Sequence, residues 1–146
     1  LIGAFLLDNS AWPRIAGIVT ESDFYRDDHR RIFTHIRKLI EAGDVADVAT
    51  VYASIEASNE VEQIQGLQYI GEIANNTPGS SAVLSYARIV KERALMRSLA
   101  ECGERIVALA TTAQGLTLAE QAKEAQKAWQ EWKAEYVGYT SPTVKP

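Results

Sequence analysis

Apolar residues recur along most of this chain at steps of three and four, and the breaks between runs carry the residues that short helices need at their ends. The periodicity predicts an all-α fold. The first apolar run, Leu1 to Leu7, stops at Asp8-Asn9-Ser10, where Asn9 or Ser10 can cap a second short helix holding Trp12, Pro13, Ile15 and Ile18. In FYRDDHRRIFTHI, Phe24 to Ile36, Asp27 or Asp28 falls near a helix start, where a carboxylate accepts free backbone N–H groups and meets the positive end of the dipole. Ile32, Phe33, Ile36, Leu39 and Ile40 follow as one buried stripe, and Gly43 supplies the stop. Asp47 is placed to cap a helix through Val48, Val51, Tyr52 and Ile55, and Leu67, Ile70, Ile73 and Ala74 define another after Gly66.

The strongest break is NNTPGSS, residues 75 to 81, where Pro78 blocks a helix, Gly79 permits a turn and Ser80 or Ser81 can start the next helix. It divides the expected head, residues 1–79, from an expected helical hairpin, residues 80–136. One run from Ala82 to about Ala110 would be about 42 Å long at 1.5 Å per residue. On it Leu95, Leu99, Cys102, Ile106 and Leu109 form a stripe, with Met96, Ala100, Gly103 and Val107 beside it. Thr117 and Glu120 make a capping box for a second helix to about Tyr136, carrying Leu118, Ala122, Ala125, Trp129, Trp132 and Tyr136. Residues 137–146, with Gly138, Ser141, Pro142 and Pro146, read as a linker.

A hairpin buries one face of each helix, and the apolar band on the first helix is wider than one face. The surplus predicts self-association, with Leu95, Leu99, Cys102, Ile106, Leu109, Leu118, Trp129 and Trp132 as candidate interface residues.

Composition narrows the chemistry. The 146 residues hold 15 Lys and Arg against 19 Asp and Glu, so the chain is not built mainly to neutralise phosphates. Little direct nucleic-acid binding is expected, although Arg88, Lys91, Arg93 and Arg97 share one helical run. The single Cys102 cannot pair internally, which fits a reducing, cytoplasmic setting. The opening LIGAFLL has neither a basic leader nor the length to span a membrane. His29 and His35 are six residues apart, about 240° round a helix, so they do not face one metal ion. No phosphate-binding loop or nucleophile elbow occurs, and no catalytic, cofactor-binding or metal-ligating residue is assigned. Tyr69 lies beside its helix stripe and, with Arg93 and Arg97, is a candidate partner-binding residue.

Five segments in order carry a family resemblance: LIGAFLLDN at 1–9, DFYRDDHRRIF at 23–33, DVATV at 47–51, GLQYIGEIANNTP at 66–78 and YARIVKERALMR at 86–97. Together they resemble the N-terminal domain of DnaB-type hexameric replicative DNA helicases, over about residues 1–110. The resemblance implies a small helical head and a hairpin that pairs subunits into dimers, with hexamers as trimers of dimers forming a collar. It also implies docking of primase and, in some systems, of a helicase loader. ATP and Mg would serve a motor beyond the linker, outside this chain. Residues 57–65 depart from the family's glycine-containing turn, and the helix with Trp129 and Trp132 resembles the family only in periodicity. A free-standing phage or plasmid adaptor that binds a host helicase or primase is the alternative.

Overall fold

The computed structural model describes residues 1–77, 82–112 and 115–140, and among them the chain is helical without a strand. The helices are α1 (Ile2–Leu7), α2 (Trp12–Ile15), α3 (Asp27–Glu41), α4 (Val48–Ala57), α5 (Gly66–Asn75), α6 (Val83–Thr111) and α7 (Leu118–Thr140). Short 3-10 turns at Asn9–Ala11, Glu21–Asp23 and Glu62–Ile64 link the smaller ones. Two compact units result, Leu1–Lys91 and Glu92–Pro146. The division falls inside α6 rather than near residue 79, because Val83 and Ala87 are fully buried in the first core. Pro78 to Ser81, the expected break, lie outside the described residues.

The first unit is built round Phe33. Its ring centroid stands 4.9 Å from that of Phe24, 5.3 Å from Trp12 and 5.9 Å from Phe5, so α3 gathers the aromatic residues of three separate segments. The predicted stripe is present: Ile32, Phe33 and Ile36 are buried, and Leu39 and Ile40 pack against them. Gly43 ends α3 at φ +84°, a conformation that costs a glycine little. Asp47 caps α4 as expected, accepting the Thr50 amide at 2.8 Å while Thr50 Oγ1 accepts from the Asp47 amide.

The first turn differs from expectation. Asp8, rather than Asn9 or Ser10, supplies the cap there, accepting the Ser10 amide at 3.0 Å. Asn9 is drawn away because its amide makes three bonds elsewhere: Nδ2 donates to the carbonyls of Phe5 and Ala46, and Oδ1 accepts from the Ala46 amide at 2.7 Å. One side chain thereby satisfies both backbone groups of Ala46, 37 residues away in sequence, together with the Phe5 carbonyl.

In the second unit α7 reaches Thr140, past the expected end at Tyr136. The last turn is held by the Tyr139 hydroxyl, which donates to Glu92 at 2.8 Å, and by Thr140 Oγ1, which donates to the Tyr136 carbonyl. These bonds carry the helix through Gly138, which the sequence reading assigned to a linker. Residues 141–146 lie outside the described residues.

Helices α1 and α5 approach so closely at Gly3 that a Cβ there would overlap Thr77 Oγ1 and crowd the Ile73 carbonyl. Gly3→Ala is therefore expected to destabilise the first unit by about 1–3 kcal/mol, the usual cost of overpacking a filled core. Urea unfolding followed by circular dichroism checks this; an unchanged midpoint would show that the contact relaxes freely.

Candidate functional site

The candidate interface residues lie on the hairpin of α6 and α7, whose antiparallel pairing is set by a few bonds. The Trp132 indole N–H donates to the Leu95 carbonyl at 3.0 Å and to Ser98 Oγ at 3.1 Å. Near the loop, Gln121 Nε2 donates to the Leu109 carbonyl, and Thr117 and Glu120 form the expected capping box. Leu95, Cys102 and Ala128 are buried along this seam, and Trp132, Ile106 and Leu109 are half-buried. The burial of Leu95 and Cys102 takes place within the single chain, so the hairpin itself accounts for those two candidates.

The remaining candidates, Leu99, Leu118 and Trp129, are exposed. They belong to a larger surface. At 100° per residue, Leu118, Ala122, Trp129, Tyr136 and Thr140 share one side of α7, a quarter turn from its seam with α6. Lys133 is the only charged residue on that side; Glu120, Lys123, Glu124, Lys127, Glu131 and Glu135 lie elsewhere on the helix. On α6 the corresponding side carries Met96, Leu99, Gly103, Val107 and Ala110. Both sides are reached by turning in the same sense from the seam, viewed along each helix. For antiparallel helices this places them on the same flank, so the hairpin has one apolar flank two helices wide. Met96 is 69% exposed, Val107 60%, Tyr136 47% and Trp129 43%, so the flank is open to solvent within the chain. The rings of Trp129, Trp132 and Tyr136 stack in series, with centroids 5.6 and 5.5 Å apart. Trp132, fixed by its two hydrogen bonds, is the middle of the stack.

The head holds Tyr69 at the core edge, half-buried beside its helix stripe. Its hydroxyl bonds His29 Nε2 at 2.9 Å, its ring lies parallel to the imidazole, and the Arg26 guanidinium stands 5.5 Å above it. Burial pushes the Tyr69 hydroxyl above its ordinary pKa, with the Asp28 charge adding to the effect. Arg93 is exposed and Arg97 half-buried on α6. They belong to the second unit and Tyr69 to the first.

Asp28 ties this corner together. It is buried, chelated by Arg26 at 2.6 and 3.1 Å, and it accepts from the His29 amide and from Gln65 Nε2. Its contact with the His29 amide is the helix-start role expected for the acidic pair. Burial would raise its pKa, but these hydrogen bonds and the nearby charge of His29 outweigh it and hold the carboxyl below its usual range. The bond from Gln65 also anchors a residue in the left-handed conformation, φ +63°, at the start of α5.

His35 is the buried group the sequence reading left unassigned. Its Nδ1 bonds Ser54 Oγ and its Nε2 bonds Glu60, both at 2.7 Å. Glu60 also accepts from Arg31, which pairs with Asp27. Burial opposes the Glu60 charge, yet the bonds from His35 and Arg31 bring its pKa below the ordinary value. The two histidines thus point to different partners, Tyr69 and Glu60. Among the described residues, no group of three or more His, Cys, Asp or Glu could hold a metal ion, and no helix is long and apolar enough to cross a membrane.

Comparison with known proteins bears on the whole arrangement. The family model for the DnaB-like helicase N-terminal domain matches residues 1–92. The replicative DNA helicase DnaB of Haemophilus influenzae is 35% identical over 106 residues, covering 73% of this chain and 23% of that protein. That of Geobacillus stearothermophilus is 36% identical over 99 residues, covering 68% of this chain and 22% of that protein. The chain thus spans about a quarter of the length of these relatives. The crystal structure of the N-terminal domain of DnaB helicase from Mycobacterium tuberculosis is similar with a TM-score of 0.83 at 30% identity, over 89% of this chain and 91% of that one. A structure described as a DnaB-like replicative helicase and its interactions with primase shares the fold, with a TM-score of 0.72 at 16% identity, over 99% of this chain and 34% of that one.

Burial pushes His29 below its ordinary pKa of 6.5, the Asp28 charge opposing this and those of Arg26 and the Leu1 amino group adding to it. The folded state therefore binds this proton less readily than the unfolded chain. Its contribution to stability is complete above the ordinary value and declines as pH falls below it. Thermal midpoints taken from about pH 7.5 to 5.5 should fall more steeply for the wild type than for His29→Gln. Parallel slopes would show that His29 titrates alike in both states.

Proposed function

The chain belongs to the family of DnaB-like helicase N-terminal domains, and on that premise we propose that it is the non-catalytic collar domain of a replicative DNA helicase. In this reading it supports hexamer assembly, as a trimer of dimers, and docks primase and in some systems a helicase loader during DNA replication in the cytoplasm. ATP and Mg act at the motor of the full-length protein and have no role for residues of this chain.

The observation that carries the proposal is the open apolar flank of the hairpin, on which Met96, Leu99, Val107, Leu118, Trp129 and Tyr136 all face solvent. Exposed apolar area of this kind is removed from water at roughly 25 cal/mol per Å², and a second hairpin is a partner always present at equal concentration. The function is geometric: subunits held together at their collars keep the motor domains in register, and a docked primase is concentrated at the fork.

Leu99→Asp would place an unpaired carboxylate on the flank while leaving the seam intact. Sedimentation equilibrium should then show a dissociation constant raised at least about tenfold, roughly 1.4 kcal/mol, with helix content unchanged. Titration with the helicase-binding region of the cognate primase tests the second role. Wild-type chain that neither self-associates nor binds that region would overturn the proposal.

A further inference from the structure

The segment from Asn59 to Gln65, between α4 and α5, is fastened to the head mainly by side chains. Its ends, Asn59 at φ +59° and Gln65 at φ +63°, are left-handed without being glycine, a conformation that persists only where the surroundings impose it. The amides of Asn59 and Glu60 reach back to Glu56 and Ile55 of α4, while those of Gln63, Ile64 and Gly66 bond locally, to the Glu60 and Val61 carbonyls. The grip on the segment comes from one stripe of α3. Asp28, Arg31 and His35 follow one another at steps of three and four, within about 60° round the helix. Asp28 accepts from Gln65 Nε2 at 3.0 Å, Arg31 donates to one oxygen of Glu60 at 2.7 Å, and His35 Nε2 bonds the other at 2.7 Å. The segment thus lies along α3 as a strap tied at both ends. Fully buried Ile64 and partly buried Val61 are its apolar attachments.

We propose that this strap is a conformational device, opening from and closing on α3 as one unit while the aromatic core stays folded, and so switching the first turn of α5 between a held and a free state. Strain at Asn59 and Gln65 favours release, and the ties from Asp28, Arg31 and His35 oppose it. The local bonding of Gln63, Ile64 and Gly66 makes the strap move together. Phe33, round which the aromatic residues gather, lies at least about 140° round α3 from each of the three gripping residues, so opening leaves that packing in place. Gln65 is also the residue from which α5 begins, and release therefore reaches exposed Leu67 in the first turn of that helix. The device belongs to the head and is independent of the collar role.

Native-state hydrogen exchange on the whole chain, in low urea, tests this. In the wild type the amides of Gln63, Ile64 and Gly66 should share one opening equilibrium, at least about tenfold more favourable than that of the Phe33 and Ile36 amides. It should also depend less on urea, since opening the strap exposes less surface than unfolding the head. Gln65→Ala cuts the tie to Asp28 but keeps the left-handed backbone, so strap opening should become at least about tenfold more favourable. Gln65→Gly loses the tie and the strain together, and should open at least about threefold less than Gln65→Ala. Phe33→Leu weakens only the core that survives opening, so it should speed exchange on α3 and leave the strap amides unchanged. Strap amides that match Phe33 and Ile36 in urea dependence in the wild type would overturn the proposal without any variant. It would equally be overturned by a strap that follows α3 in Phe33→Leu, or by a glycine variant that opens as readily as the alanine one.

Discussion

A helix has a full circumference, and a hairpin gives it one neighbour. That constraint organises the second unit. Helix α6 runs 29 residues without interruption, and past Lys91 its covering within the unit, among the described residues, is α7. The seam takes Leu95 and Cys102, leaving Met96, Leu99 and Val107 exposed, and α7 repeats the arrangement with Trp129 and Tyr136. Antiparallel geometry merges the two leftover sides into one flank. Neither helix alone would present such a surface; it follows from their pairing, which the Trp132 indole fixes through backbone and hydroxyl at once.

The head meets the opposite demand, since its helices are too short to be stable alone and must be held by one another. The aromatic group round Phe33 provides the apolar part. Two buried polar nodes add direction: Asp28 joins the starts of α3 and α5, and His35 joins α3 to α4 and to Glu60. Each node is fully bonded, which is the condition under which burying charge specifies a structure rather than weakening it. The same nodes steady Gln65 and the neighbourhood of Asn59, both left-handed without being glycine, in the segment where the sequence lacks the family's glycine turn.

Features set by neighbours in sequence were legible before the fold was known. The helix periodicity, the Asp47 and Thr117 caps and the stop at Gly43 all act within a few residues. Features that depend on distant partners were not. Asn9 looks like a cap until Ala46 is beside it, Gly138 looks like a linker until Tyr139 reaches Glu92, and nothing near His35 names Ser54 and Glu60. The partner of Tyr69 was hidden for the same reason, its bond to His29 spanning 40 residues. The width of the apolar band was readable from spacing, but which residues the seam consumes and which remain exposed required the pairing of α6 with α7.

The central claim is that the hairpin flank is covered by another copy of the chain. Molar mass by light scattering on a sizing column, over a hundredfold range of loading concentration, tests it most directly. The account predicts dimers or larger assemblies that dissociate toward monomer on dilution. A monomer at every concentration would contradict it and would mean that the apolar flank is tolerated in water or reserved for a different protein.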